Sequence, residues 1–173
     1  MHRTHNPTSS AADTDGLAPV TPADILRGAA RYLELHGWIQ RDHYSNQGGP
    51  FPPACAIGAI GMAAHGRLVT LPCTSGPGRH DARRARDYLT AYLTDTGVLT
   101  IPTDDYRPWP TVADWNDRPG QTAVAVTATL HAAADEYVWT HATDDQLETY
   151  AEAAYANECV PTREGFLDWL GAR

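Results

Sequence analysis

Between Pro53 and His65 the chain reads Pro-Ala-Cys-Ala-Ile-Gly-Ala-Ile-Gly-Met-Ala-Ala-His, and before the histidine a single thiol is its least apolar side chain. Such a run has no face to offer to water. A helix that is apolar all round belongs in a core or in a membrane, and this one falls well short of the ~20 residues that a bilayer crossing needs. Residues 53–66 therefore predict the central helix of a soluble bundle, closed by Gly66 and covered by amphipathic neighbours.

The rest of the chain supplies those neighbours. Thr21 and Pro22 read as an N-cap followed by proline at the first helical position, and Ile25, Leu26, Ala29 and Leu33 carry the apolar stripe of a first helix that runs to about His36. Trp38 to Pro52 is rich in Gly, Pro and Asn and reads as a loop. Leu68 to Leu71 is apolar enough for a short extended piece. Arg79 to Thr96 has an inward stripe of Ala82, Ala85, Leu89, Tyr92 and Leu93, with Gly97 as its stop. Val98 to Pro110 reads as loop, and Trp115 to Gln121 as a turn before Thr122, which caps a long helix with Val126, Leu130, Ala133, Ala134 and Tyr137 inside. Thr143 with Gln146 forms a capping box, ahead of a helix bearing Leu147, Tyr150, Ala151, Ala154 and Tyr155. Thr162 caps a short last helix carrying Phe166, Leu167, Trp169 and Leu170. The fold expected is all-α, a compact bundle of about six helices, with residues 1–20 as a polar tail and 21–173 as one domain.

Charge is unevenly placed. Of the 21 acidic residues, nine lie between Asp135 and Asp168 against Arg163 alone, so most of the net charge of −8 belongs to an acidic C-terminal extension starting near residue 138. A negative field of that kind disfavours general nucleic-acid binding, which draws its affinity from phosphate contacts. All 13 basic residues are arginine, as in proteins from high-G+C genomes. The three cysteines, Cys55, Cys73 and Cys159, are odd in number and widely spaced, which points to neither a disulfide framework nor a zinc site, and to a reduced cytoplasm. The first fifteen residues have no apolar core of a secretory signal.

A few residues invite a chemical reading. Cys55 stands near the start of the central helix, where a helix N-terminus would favour thiolate; His65 or His80, with Asn116 or Asp117, would complete a Cys/His/Asn or Cys/His/Asp site. Packed core cysteine is the simpler account. Gly58 and Gly61, three apart, point to close packing by a partner helix, or to a ligand on the glycine face. Trp115, Asn116 and Asp117 either build a turn or line a pocket. Arg79, Arg83, Arg84 and Arg86 make a basic face, open to a phosphate-bearing or acidic partner, or more simply solvated or matched to the chain's own acidic C-terminal helices. His131 and Asp135, four apart, are two potential metal ligands without a third, so no metal or cofactor is indicated.

Three separated motifs carry a resemblance: Gly37-Trp38-Ile39-Gln40, then Cys55-Ala56-Ile57-Gly58-Ala59-Ile60 after Gly49, then Trp115-Asn116-Asp117 leading into the helix from Thr122. In that order they resemble a small domain family of unknown function found mainly in actinobacteria. The likeness spans about residues 22 to 137 and leaves the acidic extension uncovered. Where similar members carry a cysteine after Gly-Trp this chain has Ile39, which removes a thiol partner for Cys55. The resemblance implies no activity. It does imply that Trp38, Cys55 and the segment Trp115 to Asp117 form one unit.

These observations point to a cytoplasmic helical binding or interaction module with a candidate pocket of Trp38, Gln40, Cys55, Trp115, Asn116 and Asp117. The alternative is a thiol-dependent hydrolase or acyl transferase using Cys55. A small molecule or a protein is the partner expected; the oligomeric state is open.

Overall fold

The computed structural model describes residues 19–100 and 109–171. Most of the expected polar tail, and part of the loop expected after Val98, lie outside them. Among the described residues the chain forms seven helices and no strand: α1 (Pro22–His36), α2 (Ala56–His65), α3 (Arg79–Asp95), α4 (Val112–Asn116), α5 (Ala123–Thr140), α6 (Asp144–Ala156) and α7 (Arg163–Gly171). The all-α bundle is as expected, with one helix more. The extra one is α4, where a turn was expected. Thr111 and Asp114 form a capping box that starts it, and Trp115 and Asn116 occupy its last turn.

Local caps explain the helix starts. Thr21 accepts from Asp24 N while the Asp24 carboxylate takes the Thr21 N–H, closing a capping box on α1. Thr122 accepts from Ala125 N on α5, and Thr143 with Gln146 closes the box on α6. Thr162 Oγ1 accepts from Gly165 N at the head of α7. Each arrangement satisfies N–H groups that a helix terminus leaves free.

The central helix is shorter than expected, and its first turn is not a turn. Pro53 to Cys55 are extended, because Ala54 is clasped on both sides by loop backbone. Ala54 N donates to Gly37 O (3.1 Å) and Ile39 N to Ala54 O (3.0 Å), while Ser45 N donates to Pro53 O (2.8 Å) and Cys55 N to His43 O (3.1 Å). Helix α2 begins only at Ala56, with Cys55 as its N-cap. Leu68 to Leu71 is irregular rather than extended, and both leucines are exposed.

Helix α1 lies against α5, α2 and α3, and α2 against α1, α3 and α4. Leu26, Ala29, Ala30, Ala59, Ile60, Leu89, Leu93, Val126, Leu130 and Ala133 form the fully buried middle of this body. A second, smaller cluster of Tyr150, Ala154 and Phe166 sits in the α6–α7 hairpin. The α2 glycines serve close approach, but not to a helix. A Cβ at Gly58 would run into the carbonyl of His43, and one at Gly61 into Pro72 and, at 2.9 Å, the Tyr44 hydroxyl. The glycine face is thus covered by the chain's own loops.

Candidate functional site

The three motifs converge where the loop after α1, the head of α2 and the end of α4 meet. Asn116 is at the centre, 1% exposed. Its Oδ1 accepts from Trp38 Nε1 (2.8 Å) and from Ala56 N (3.0 Å), and its Nδ2 donates to Ile39 O (3.3 Å) and to Asp117 Oδ1 (2.8 Å). Gln40 Nε2 donates to the carbonyls of Asn116 (2.9 Å) and Arg118 (3.0 Å). Asp117 Oδ1 also accepts from Arg41 N (2.8 Å), and Arg41 adopts a left-handed φ of 77° there. Trp115 is buried in the main core. Trp38, Gln40, Asn116 and Asp117 are joined by hydrogen bonds to one another and to backbone, with Cys55 beside Ala56 and Trp115 in the adjoining core. Among the described residues no buried side-chain nitrogen or oxygen lacks a partner.

The chemistry of Cys55 follows from its place as N-cap. Its Sγ, a weak acceptor, takes the Gly58 N–H at 3.5 Å, while Asn116 Oδ1, sixty residues on, takes the first helical N–H, that of Ala56. Burial pushes the Cys55 thiol up from its ordinary value, outweighing the backbone N–H groups of Gly58 and Ile57 that pull it down. The thiolate expected at a helix N-terminus is therefore not favoured here, because desolvation of the charged form is the larger effect. His65 is committed elsewhere. Its Nδ1 accepts from Gly78 N (3.1 Å) and its Nε2 lies 2.8 Å from Pro72 O, an arrangement met by the neutral tautomer with the proton on Nε2. His80 is exposed on the first turn of α3. Among the described residues, neither His65 nor His80 stands as a base beside Cys55.

The arginine face of α3 does not meet the acidic C-terminal helices. Arg84 pairs with Asp81 (2.7 Å) and donates to Val20 O, and Arg86 pairs with Asp87 (2.6 Å), so the partners are on the same helix. Arg79 reaches only Gly76 O (3.5 Å), and Arg83 is exposed. The acidic side is matched from α1 and α7 instead, with Arg27 to Asp135 and Arg163 to Glu136, both 2.7 Å. His131 and Asp135 do not share a ligand position. Each turns to α1, His131 Nε2 lying 3.1 Å from Glu34 Oε1. Among the described residues no three His, Cys, Asp or Glu side chains come together as a metal site, and no helix is long and apolar enough to cross a membrane.

A family model matches residues 17–136, which is more than two thirds of the chain and includes every residue of the Asn116 cluster. The chain belongs to the DUF6197 family of unknown function. Among curated proteins and among solved structures nothing matches it. The DUF6197 match stops one residue before Tyr137, where the resemblance read from the motifs also stopped, so the end of α5 and the α6–α7 hairpin lie beyond the family region. The match spans α1 to α4 and most of α5, the helices that hold the larger core.

A separate concavity lies elsewhere among the described residues. A trough of about 740 Å³ runs between α3, α5 and α7. Tyr88, Tyr92 and Leu167 give it apolar walls, and Asp95, Asp135, Glu136 and Glu164 surround them, with Arg163 as the one basic lining residue. Tyr88 stacks edge-on against Tyr137 at 4.9 Å, and burial pushes its hydroxyl up from the ordinary value. Sequence reasoning missed this trough. Its walls come from three helices, and the only hint was that Tyr88 and Tyr92 are four apart on α3.

Proposed function

We propose that the chain is a cytoplasmic, non-catalytic binding module whose ligand lies in the trough between α3, α5 and α7. The observation that carries the reading is the composition of that wall. Four carboxylates line it around two tyrosines and a leucine, two of them paired, Asp135 with Arg27 and Glu136 with Arg163; the remaining excess of acid is the surface that an organic cation with an apolar or aromatic body would match. Phenol rings attract a cation over their faces, and a cleft lined by one sign of charge concentrates ligands of the other. A volume of about 740 Å³ is within the range of small-molecule sites. The three free cysteines accord with a reducing compartment. The Asn116 cluster serves this module as the tie that holds the loops and helices in register.

The test is a backbone NMR titration of the full chain with spermidine and with an arylalkylamine, against neutral analogues of the same size. Saturable shifts are expected at the amides of Ala91, Thr96 and Ala132, for the cations only. Equal shifts from the neutral analogues, or none at millimolar ligand, would overturn the reading.

A further inference from the structure

We infer that residues 138–171 form a separate cooperative unit, which opens from the rest of the molecule while the family region stays folded. The opening runs through the last turn of α5.

The core divides there. Tyr137 packs against the large cluster of the body, Val138 touches both clusters, and the half-exposed Trp139 ring lies 5.8 Å from that of Phe166, edge-on to it. Phe166 is the hub of the small cluster, with Tyr150 at 5.7 Å and Trp169 at 6.0 Å between ring centroids. Within the unit, Tyr150 Oη accepts from Thr162 N (3.1 Å), and Gly165 is a glycine because a Cβ there would strike that hydroxyl. The hairpin is thus knit to itself. One fully buried side chain, Phe166, with Tyr150 and Ala154 nearly so, is too small a core to hold some 35 residues alone, so the unit persists by leaning on the end of α5.

The seam with the body is narrow, made by α7 on α5 and by the His141 ring edge-on to Tyr88 at 6.3 Å. Helix α6 packs on α7, and α7 reaches the body through α5. Clefts of about 740, 580 and 320 Å³ ring that joint, with Leu167 lining the first two and Leu170 the last two. Side chains that line an open cleft face solvent rather than packed neighbours and so contribute less burial to the seam. The charged tie across it is Arg163 to Glu136, with side chains 38% and 33% exposed, a setting in which an ion pair adds little. Glu164 and Asp168 add further carboxylates at the same joint, beside the Arg27–Asp135 pair. Regions with few buried contacts open at lower free energy than the core, in contiguous cooperative units. The family match, ending at residue 136, draws the same line independently. The inference stands whether or not the trough binds a ligand, although opening would remove its α7 wall.

Native-state hydrogen exchange on the full chain tests this. Amides within 147–154 and 166–170 are expected to exchange at least tenfold faster than those within 26–33, 59–62 and 126–133, and with a weaker dependence on low denaturant. Phe166→Ala is expected to speed the first group a further tenfold or more and to leave the second unchanged; Arg163→Gln is expected to act in the same direction by about twofold. Equal protection and equal denaturant dependence in both groups would overturn the inference. So would a Phe166→Ala chain that accelerates both groups together or fails to fold, since the body is argued to stand without the hairpin.

Discussion

Replacing Asn116 by alanine is the sharpest probe of the converging motifs. The amide oxygen satisfies two donors that have no other acceptor within the cluster, Ala56 N, which is buried, and Trp38 Nε1, which is half-buried. Leaving a buried donor unmade costs about 1–3 kcal/mol. Water can reach the indole more easily than the helix N–H, so the sum is about 3 kcal/mol rather than the upper limit of about 6. Set against a typical total of about 5–15 kcal/mol, that is a large fraction. At about 2–4 °C per kcal/mol for a chain of this size, the melting midpoint should fall by about 6–12 °C. Urea titration followed by both helical circular dichroism and tryptophan fluorescence measures it. A second variant checks the cause. Asn116→Asp keeps the accepting oxygen but sets a carboxyl against Asp117 Oδ1, where the parent amide donates at 2.8 Å. Burial and the neighbouring carboxylate raise the introduced carboxyl above its unfolded pKa of about 3.9. A raised acid destabilises when it must ionise, so the deficit should be small near pH 4 and grow as pH rises through the folded value. An Asn116→Ala chain within ~0.5 kcal/mol of the parent would show that the amide is not holding the loops to α2, and would return Asn116 to the list of residues kept for binding.

Gly58→Ala should lose more than about 2 kcal/mol, even though alanine is the better helix former by about 1 kcal/mol, because the new Cβ meets the His43 carbonyl, which is backbone and cannot swing aside; Gly58→Leu should not fold. Arg83→Ala, on an exposed position of the same bundle, should stay within ~0.5 kcal/mol in the same denaturation assay. Thiol labelling of the native protein at pH 7 should modify the exposed Cys159 quickly, while the buried Cys55 and Cys73, both with thiols pushed up by burial, react only once denaturant is added; labelling of Cys55 as fast as Cys159 would revive the nucleophile.

What was legible in the sequence was whatever is decided within one or two turns of chain. Thr122, Thr143 with Gln146, and Thr162 cap the helices they were expected to cap, because an N-cap needs only its own side chain and an N–H three residues on. Helix α4 escaped notice because five residues are too few to display a 3.6-residue period. The start of α2 was misplaced for the opposite reason. Its first N–H is satisfied by Asn116, and the Pro53–Cys55 segment before it is held extended by backbone from residues 37–45, and neither partner is visible in the local pattern.

The Cys55 region shows how two rules that each apply can oppose one another. Position at a helix N-terminus favours thiolate, and the hydrogen bond from Gly58 N is there to do it. Burial beneath the 37–45 loop favours the thiol and wins. The same loop presses on Gly58 and hands Trp38 and the Ile39 carbonyl to Asn116. One backbone excursion thus sets the glycine, silences the cysteine and consumes the asparagine, which is why three separate motifs meet at a place with so few polar atoms left to offer a ligand.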